Sequence, residues 1–296
     1  MKVCIIGRGL TSLTLAKALV NQNIIVELFS EKNFKKLNSN RTLSISKSNL
    51  DFFNKNILDI KNICWKINKI EIFSENLRNE KLINFESKNK QLFYIVKNDQ
   101  IYDLLISKLK KNKNFKFKKI DNYKNLIKKN YDLIFICERG NFFTNRLFYK
   151  KIDKDYKSFA YTSVIEHKKL KNNHKAIQIF TQNGPLAFLP YSEKETSIVY
   201  SGREKKNIDF ENLVKKYNKD YSITKIKKPS VFSLKSSNLR TYHHKNILAF
   251  GELLHKIHPL AGQGFNMTIR DIKTLLELIQ NKIDNGLQLD SSICLD

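Results

Sequence analysis

One stretch constrains this chain more than any other. An apolar run, Ile247-Leu248-Ala249-Phe250, enters Gly251-Glu252 and continues through His258-Pro259-Leu260-Ala261-Gly262-Gln263-Gly264-Phe265-Asn266. Beyond it Phe265, Ile269, Ile272, Leu275, Leu276, Ile279 and Ile283 recur at intervals of three and four. The apolar run reads as a buried strand and the later spacing as one face of a helix. Strand, glycine-rich loop and helix N-terminus in that order form a site for something negatively charged. The glycines let backbone N–H groups come close to a ligand, and the helix start adds partial positive charge. Glu252, at the strand end, is placed to accept hydrogen bonds from sugar or polyol hydroxyls. A loop of this kind standing alone would fit equally well as a plain entry into a surface helix, so the rest of the chain has to decide.

The N-terminus repeats the arrangement. Lys2-Val3-Cys4-Ile5-Ile6 reads as a short buried strand, followed by Gly7-Arg8-Gly9-Leu10-Thr11-Ser12 and by Leu13, Ala16, Leu19 and Val20 on a helical face. Strand, GxGxxG-like turn and helix make a dinucleotide-binding fingerprint, here with Ser12 in the third glycine position. A second strand, Ile24 to Phe29, leads to Ser30 and Glu31, where such folds carry a ribose-binding acid; either residue can take that role. Arg41 follows in the setting Arg-Thr-Leu-Ser, as a surface charge or as a group reaching a cofactor. Asn98 opens a stretch with Ile101, Leu104, Leu105 and Leu109 on one side. Another buried strand, Tyr131 to Cys137, ends in Glu138-Arg139-Gly140, with Arg146 beyond it.

Between these stretches the pattern is β-rich. Residues 66–97 hold short apolar runs. From Phe159 to Ser201 four strands are predicted, 159–165, 176–181, 186–189 and 197–201, with Gln182-Asn183-Gly184-Pro185 as a turn. Short links between adjacent strands imply an antiparallel sheet. A lysine-rich helix is predicted over 208–219, and Val231-Phe232-Ser233-Leu234 leads back towards the opening stretch. Two regions therefore interleave. Residues 1–66, 98–150 and 240–296 form a Rossmann-like nucleotide-binding part, and 67–97 with 151–239 an antiparallel β-sheet part.

The 296 residues suffice for a large domain or two interleaved ones. Only 9 are glycine, and Gly7, Gly9, Gly140, Gly184, Gly251, Gly262 and Gly264 fall in the stretches above. The net charge of +26 raises nucleic acid or an anionic membrane as partners. The densest lysine runs lack interleaved aromatics, however, and read as solvated faces, so no nucleic acid is expected. Cys4, Cys64, Cys137 and Cys294 show neither CxxC nor metal-ligand spacing, which fits a reducing cytoplasm. No signal peptide and no membrane-spanning run is expected.

Taken together, these motifs resemble the flavin-dependent aromatic hydroxylases of the para-hydroxybenzoate hydroxylase fold. The branch that hydroxylates polyprenylated phenols in ubiquinone biosynthesis is the most similar. The resemblance rests on the N-terminal turn, Arg41, the strand ending near Gly140 with Arg146, and Gly251-Glu252 followed by His258-Pro259-x-Ala-Gly-Gln-Gly-x-Asn; the phrase Gly184-Pro185-Leu186-Ala187-Phe188-Leu189-Pro190 points to the ubiquinone branch. It implies an FAD-binding domain interleaved with an antiparallel substrate domain, the C-terminal helical segment being shortened. It further implies bound FAD, NAD(P)H as co-substrate, and oxygen transfer through a flavin hydroperoxide to a polyprenylated phenol or other aromatic small molecule. Gly7, Gly9, Leu10, Thr11 and Ser12 would cradle the pyrophosphate, with Ser30, Glu31, Arg41, Asn98, Gly140, Gly251, Glu252, Gly264, Phe265 and Asn266 completing the cofactor site. Pro259, Gly262 and Gln263 would position the ring through their backbone, and His258 is either a general base or a shaper of the loop. Phe180, Phe188, Leu189 and Tyr191 are candidate substrate walls. Peripheral contact with the inner face of the membrane and membership of a quinone-biosynthesis assembly are the implied partners. Arg139-Gly140 stands where relatives carry Asp-Gly and Gly251-Glu252 where they carry Gly-Asp. The alternative is therefore a flavin-binding, non-catalytic subunit.

Overall fold

The computed structural model describes residues 1–31, 41–77, 80–86, 91–123, 126, 129–203, 208–256 and 263–289. The predicted roles of His258, Pro259 and Gly262 fall outside these residues. Strands and helices are numbered along the chain. The first sheet contains β1 (Lys2–Ile6), β2 (Ile25–Ser30), β8 (Phe115–Lys119), β9 (Leu133–Ile136), β16 (His243–His244) and β17 (Ile247–Ala249), in the order β16-β17-β9-β1-β2-β8. All its pairs are parallel except β16 with β17. The inner strands are buried on both faces, which is why they read as continuous apolar runs instead of alternating ones.

One face of this sheet carries α1 (Leu10–Asn21), α2 (Lys47–Asn56), α3 (Asn98–Lys110) and α6 (Gln263–Asp284), joined in a core that includes Leu13, Phe53, Leu105 and Ile272. The periodicity predicted for α6 holds from Phe265 to Ile279, but Ile283 is 46% exposed because the helix has by then run past the sheet. Cys4, Ile6, Tyr131 and Ile136 form the opposite face with Phe143 of α4 (Phe142–Leu147).

The second sheet has nine strands, ordered β18 (His255–Lys256), β15 (Ser230–Leu239), β10 (Lys151–His167), β13 (Glu195–Gly202), β12 (Gly184–Pro190), β11 (Lys175–Thr181), β5 (Lys69–Ser74) and β6 (Lys81–Glu86), with β14 (Ile223–Ile226) also on β10. It is antiparallel except where β5 joins β11 in parallel. β10 begins at Lys151, well before the predicted Phe159. Its first half is polar and exposed, so no apolar pattern marks it, and only its ladder to β15 makes it a strand. Tyr161, Ile177, Ile179, Leu186, Phe188, Ile198 and Tyr200 face α5 (Phe210–Tyr217). A small sheet, β3 (Thr42–Ser46), β7 (Phe93–Lys97) and β4 (Trp65–Ile67), lies against the other face, where Ile67 and Ile95 meet Val164, Ala176 and Tyr191. It draws strands from both sides of the sequence boundaries at residues 66/67 and 97/98.

A buried carboxylate holds three strands of the first sheet together. Glu27 on β2 is only 4% exposed and lies 3.3 Å from Lys2 Nζ and 2.9 Å from Lys118 Nζ, while the Tyr131 hydroxyl donates to it. Burial pushes this carboxyl up, but the bonds from Tyr131, Lys118 and Lys2 more than offset that and leave it at about 2. Because the folded value lies below the unfolded one, this group's stabilisation is present above the ordinary carboxylate range and is lost as pH falls towards about 2. The shift corresponds to about 3 kcal/mol at neutral pH. Glu27→Gln should therefore flatten the acid limb of a stability–pH profile read by urea unfolding; an unchanged limb would exclude this role.

Candidate active site

The turn after β1 is built around two glycines. Gly7 sits at φ +136°, and its N–H donates to Phe29 O at 3.0 Å, so the turn hangs on the end of β2. A Cβ on Gly7 would fall 2.6 Å from Ser12 Oγ. Ser12 thus occupies the space over Gly7 that a third glycine would leave open. Gly9 is the N-cap of α1; among the described residues no side chain caps that helix, and none comes within 4 Å of the Cβ position at Gly9. An uncapped helix start facing open space is an anion site by geometry. Tyr102 of α3 steadies the turn by donating its hydroxyl to Arg8 O at 3.0 Å.

The second turn arrives beside it. Gly251 has φ +61°, and a Cβ there would lie 2.5 Å from Thr11 Cγ2 and 3.3 Å from Thr268 Oγ1. Residue 251 therefore fits only as glycine between the first turn of α1 and the first turns of α6. Gly264 faces Glu252, with 3.6 Å between its would-be Cβ and Glu252 Oε1. The two stretches singled out in the sequence thus meet through Gly251, Thr11 and Thr268. From there the chain forms β18, which joins the second sheet at Ser237 and Asn238, so this loop is physically shared by both sheets.

The remaining predicted residues surround this junction, in different ways. Ser30 is buried at the end of β2, and Glu31 accepts a hydrogen bond from Tyr123 at 2.7 Å. Arg41 is exposed, with its guanidinium 5.0 Å from the Phe232 ring, and its carbonyl accepts the Asn98 N–H at 3.0 Å. Asn98 Oδ1 is buried and makes no hydrogen bond among the described residues. Gly140 is exposed at φ +77°, with Arg146 turned outward over Phe142. Phe265 is core, packed on Phe53, and offers a ligand only its backbone. The Asn266 amide bonds Ser44 O, Ser46 N and the Asn49 side chain, so it ties α6 to β3 and α2.

Four further residues shape the site. Tyr102 and Tyr123 carry no local signal for their roles, since both reach across the fold. Glu138 lies at the end of β9 against Gly7; burial, then the charge of Glu31, pushes its carboxyl up, while the backbone N–H and charge of Arg8 oppose this. Arg139 sends Nη2 to Glu252 O at 3.0 Å, and to Ser237 O and Leu253 O at 3.3 Å. One guanidinium therefore clamps the Gly251–Leu253 turn to both sheets.

The walls split by strand alternation. Phe188 is buried under α5, so it cannot share a pocket with its neighbour Leu189, which faces the small sheet. Tyr191 also packs there, beneath Lys97. Phe180 is 45% exposed.

No family model matches the chain. Solved structures match it over nearly its whole length. PqsL of Pseudomonas aeruginosa, described as a probable FAD-dependent monooxygenase, superposes with a TM-score of 0.75 over 99% of this chain and 90% of its own, at 14% identity. A tetrameric 2-methyl-3-hydroxypyridine-5-carboxylic acid oxygenase gives 0.76, 99% and 85%, at 13% identity. The fold is that of the FAD-dependent aromatic monooxygenases. In sequence, residues of this monooxygenase fold are 26% identical over 179 positions to the mouse ubiquinone biosynthesis monooxygenase COQ6, covering 46% of this chain and 38% of that protein. They are 30% identical over 119 positions to 3-demethoxyubiquinol 3-hydroxylase of Escherichia coli, covering 37% and 30%. The matched segments thus span less than half the length of these curated relatives.

Proposed function

We propose that the chain is an FAD-dependent monooxygenase that hydroxylates an aromatic ring, its substrate a polyprenylated phenol of ubiquinone biosynthesis. The observation that carries this reading is that the Gly7–Ser12 turn meets Gly251 through Thr11, with Gly264 facing Glu252, at one junction between two sheets. The residues there fit FAD on three counts: the open space before Gly9, the unbonded Asn98 Oδ1, and the glycine-only contact at Gly251. The α1 N-terminus would hold the pyrophosphate, Glu31 and Glu252 the sugar and ribityl hydroxyls, and Asn98 and Gly264 the flavin end. When bound, FAD would supply the redox chemistry, taking a hydride from NAD(P)H and activating O2.

The protein's own work is positioning and exclusion of water. The face of the second sheet turned towards β3 carries Thr162, Ala187, Leu189 and Val199, by alternation with the residues under α5. Thr162 Oγ1 is buried with no hydrogen bond among the described residues, and Thr42 Oγ1 donates to Ser197 Oγ at 3.0 Å on the same face. An aromatic ring between this face and β3 would find apolar walls and, at Thr162, a partner for its hydroxyl. The +26 charge would draw the protein to anionic lipid, where such a substrate resides, while no described helix is long and apolar enough to cross a membrane.

The purified protein should carry flavin absorbance, oxidise NAD(P)H in response to a prenylated phenol, and yield a product heavier by one oxygen in mass spectrometry. Gly264→Ala, whose Cβ among the described residues meets only Glu252 Oε1 at 3.6 Å, should fold, and Gly264→Leu, with folding checked by circular dichroism, should lose most of its flavin. Unchanged flavin content in that variant would remove Gly264 from the site. A second reading, a flavin-binding subunit without turnover, is favoured by Arg139, whose guanidinium occupies the turn's carbonyls. Bound FAD with no substrate-dependent oxidation across a phenol panel would select it.

A further inference from the structure

The two outer edges of the sheets that end in β8 and β6 are treated differently by the sequence. β8 is the sequence Phe-Lys-Phe-Lys-Lys, so Lys116, Lys118 and Lys119 line one edge of the first sheet in a chain of net charge +26. Lysines on an edge oppose pairing with another chain. β6, Lys-Leu-Ile-Asn-Phe-Glu, closes the second sheet, is bonded only to β5 among the described strands, and is exposed at all six positions. Leu82, Ile83 and Phe85 are 45%, 47% and 49% exposed. Its two charges are already matched from β5, Lys81 by Glu71 at 2.7 Å and Glu86 by Lys69 at 3.3 Å. The register with β5 puts Ile83 opposite Ile72 and Phe85 opposite Ile70, on the face turned away from Glu71 and Asn84. Among the described residues, one side of this edge is therefore an apolar strip flanked by half-buried isoleucines.

From this we infer that β6 is a self-recognition edge, which pairs antiparallel with β6 of a second copy of this chain across a two-fold axis. A two-fold normal to the sheet preserves its faces, so opposed residues must share a face. Centring the axis on Asn84 meets that condition. Asn84 then faces Asn84 of the partner copy, Ile83 faces Phe85, and Phe85 faces Ile83, while the Glu86 end of each copy meets the Lys81 end of the other. Cross-strand pairs of an aromatic with a β-branched residue are favourable, and the opposed end charges are complementary. The local balance selects this occupant over an anionic surface. Among the described residues, Lys81 and Lys175 pair with Glu71, Lys216 with Glu75 and Lys69 with Glu86, so the charges around β5 and β6 are matched within the chain. This corner escapes the repulsion that keeps other surfaces of two such chains apart, and its lysines are already engaged by carboxylates instead of lipid phosphates. The proposal does not depend on the flavin reading.

Two measurements test it on the full chain. Sedimentation over a range of concentrations should show a monomer–dimer equilibrium in wild type that Ile83→Lys shifts to monomer. Separately, Asn84→Cys under mild oxidation should form a reducible dimer, because opposed residues in such a pair bring their Cα atoms within disulfide range. Lys116→Cys on β8 and wild type, which retains its own cysteines, should not. A wild-type protein that stays monomeric throughout overturns the proposal. So does Asn84→Cys cross-linking no faster than Lys116→Cys, or a dimer that Ile83→Lys leaves intact. Binding to anionic vesicles that Ile83→Lys abolishes would also overturn it, in favour of a lipid-facing edge.

Discussion

Gly251→Ala is expected to destabilise the fold by about 3 kcal/mol and to abolish flavin retention. Two costs combine. Alanine at φ +61° occupies the left-handed region, at about 1–2 kcal/mol. Its Cβ would also stand 2.5 Å from Thr11 Cγ2, inside van der Waals contact, where overpacking costs about 1–3 kcal/mol. Neither neighbour yields readily, because Thr11 sits in the first turn of α1 and Thr268 in α6, both anchored in the main core. Urea unfolding of the variant gives the total. A double-mutant cycle with Thr11→Ser, which deletes the offending methyl, separates the parts: the steric share should return and the backbone share remain. Strict additivity of the two substitutions would mean that α1 and the Gly251 turn do not touch. Flavin loss should exceed what partial unfolding explains, since the same displacement pulls the two turns apart.

That contact also marks how far the sequence could be read. The strands β1, β2, β9 and β17 were legible because burial on both faces leaves continuous apolar runs, and the two glycine turns were legible because glycine is scarce. α6 was legible from its stripe, to within one position at Ile283. The first half of β10 was not, since residues 151–155 and Lys157 are exposed and the pairing of this half depends on β15, far along the chain. The three-stranded sheet was missed for the same reason: β3, β7 and β4 gain their order from one another and from the face of the second sheet. At the site, position was easier to read than use. The Asn266 amide is spent on residues more than 200 positions away, which no local pattern records. Arg139 reads as an ordinary charge after a strand, and only the fold reveals three carbonyls around it. Phe188 and Leu189 show the opposite case. Period-two alternation alone assigns them to different faces, so they cannot wall one pocket together.

Gly184→Ala should be the most damaging single-methyl change, at about 4 kcal/mol or more, which is the range reserved for specific steric faults. Gly184 has φ +140°, and a Cβ there would lie 1.9 Å from the backbone carbonyl oxygen of Ser201. A side-chain clash can be relieved by a rotamer change, but this one cannot, because Ser201 is fixed in β13 by its pairing with Ala160 of β10. The turn itself is held from both sides: Thr181 Oγ1 donates to Gly184 O at 2.7 Å, and Arg203 N donates to Asn183 O at 3.4 Å. Relief therefore requires the β11–β12 turn to lift off β13, moving Ala187 and Leu189 on the face proposed to receive substrate. Gly140→Ala provides the control. Gly140 also has positive φ, at +77°, but no described residue lies within 4 Å of its would-be Cβ, so only the backbone cost of about 1–2 kcal/mol applies. Equal losses in the two variants would show that strain alone sets the effect and that β13 does not support the turn. A larger loss for Gly184→Ala, together with weaker substrate response at unchanged flavin content, would tie the integrity of this turn to the substrate face.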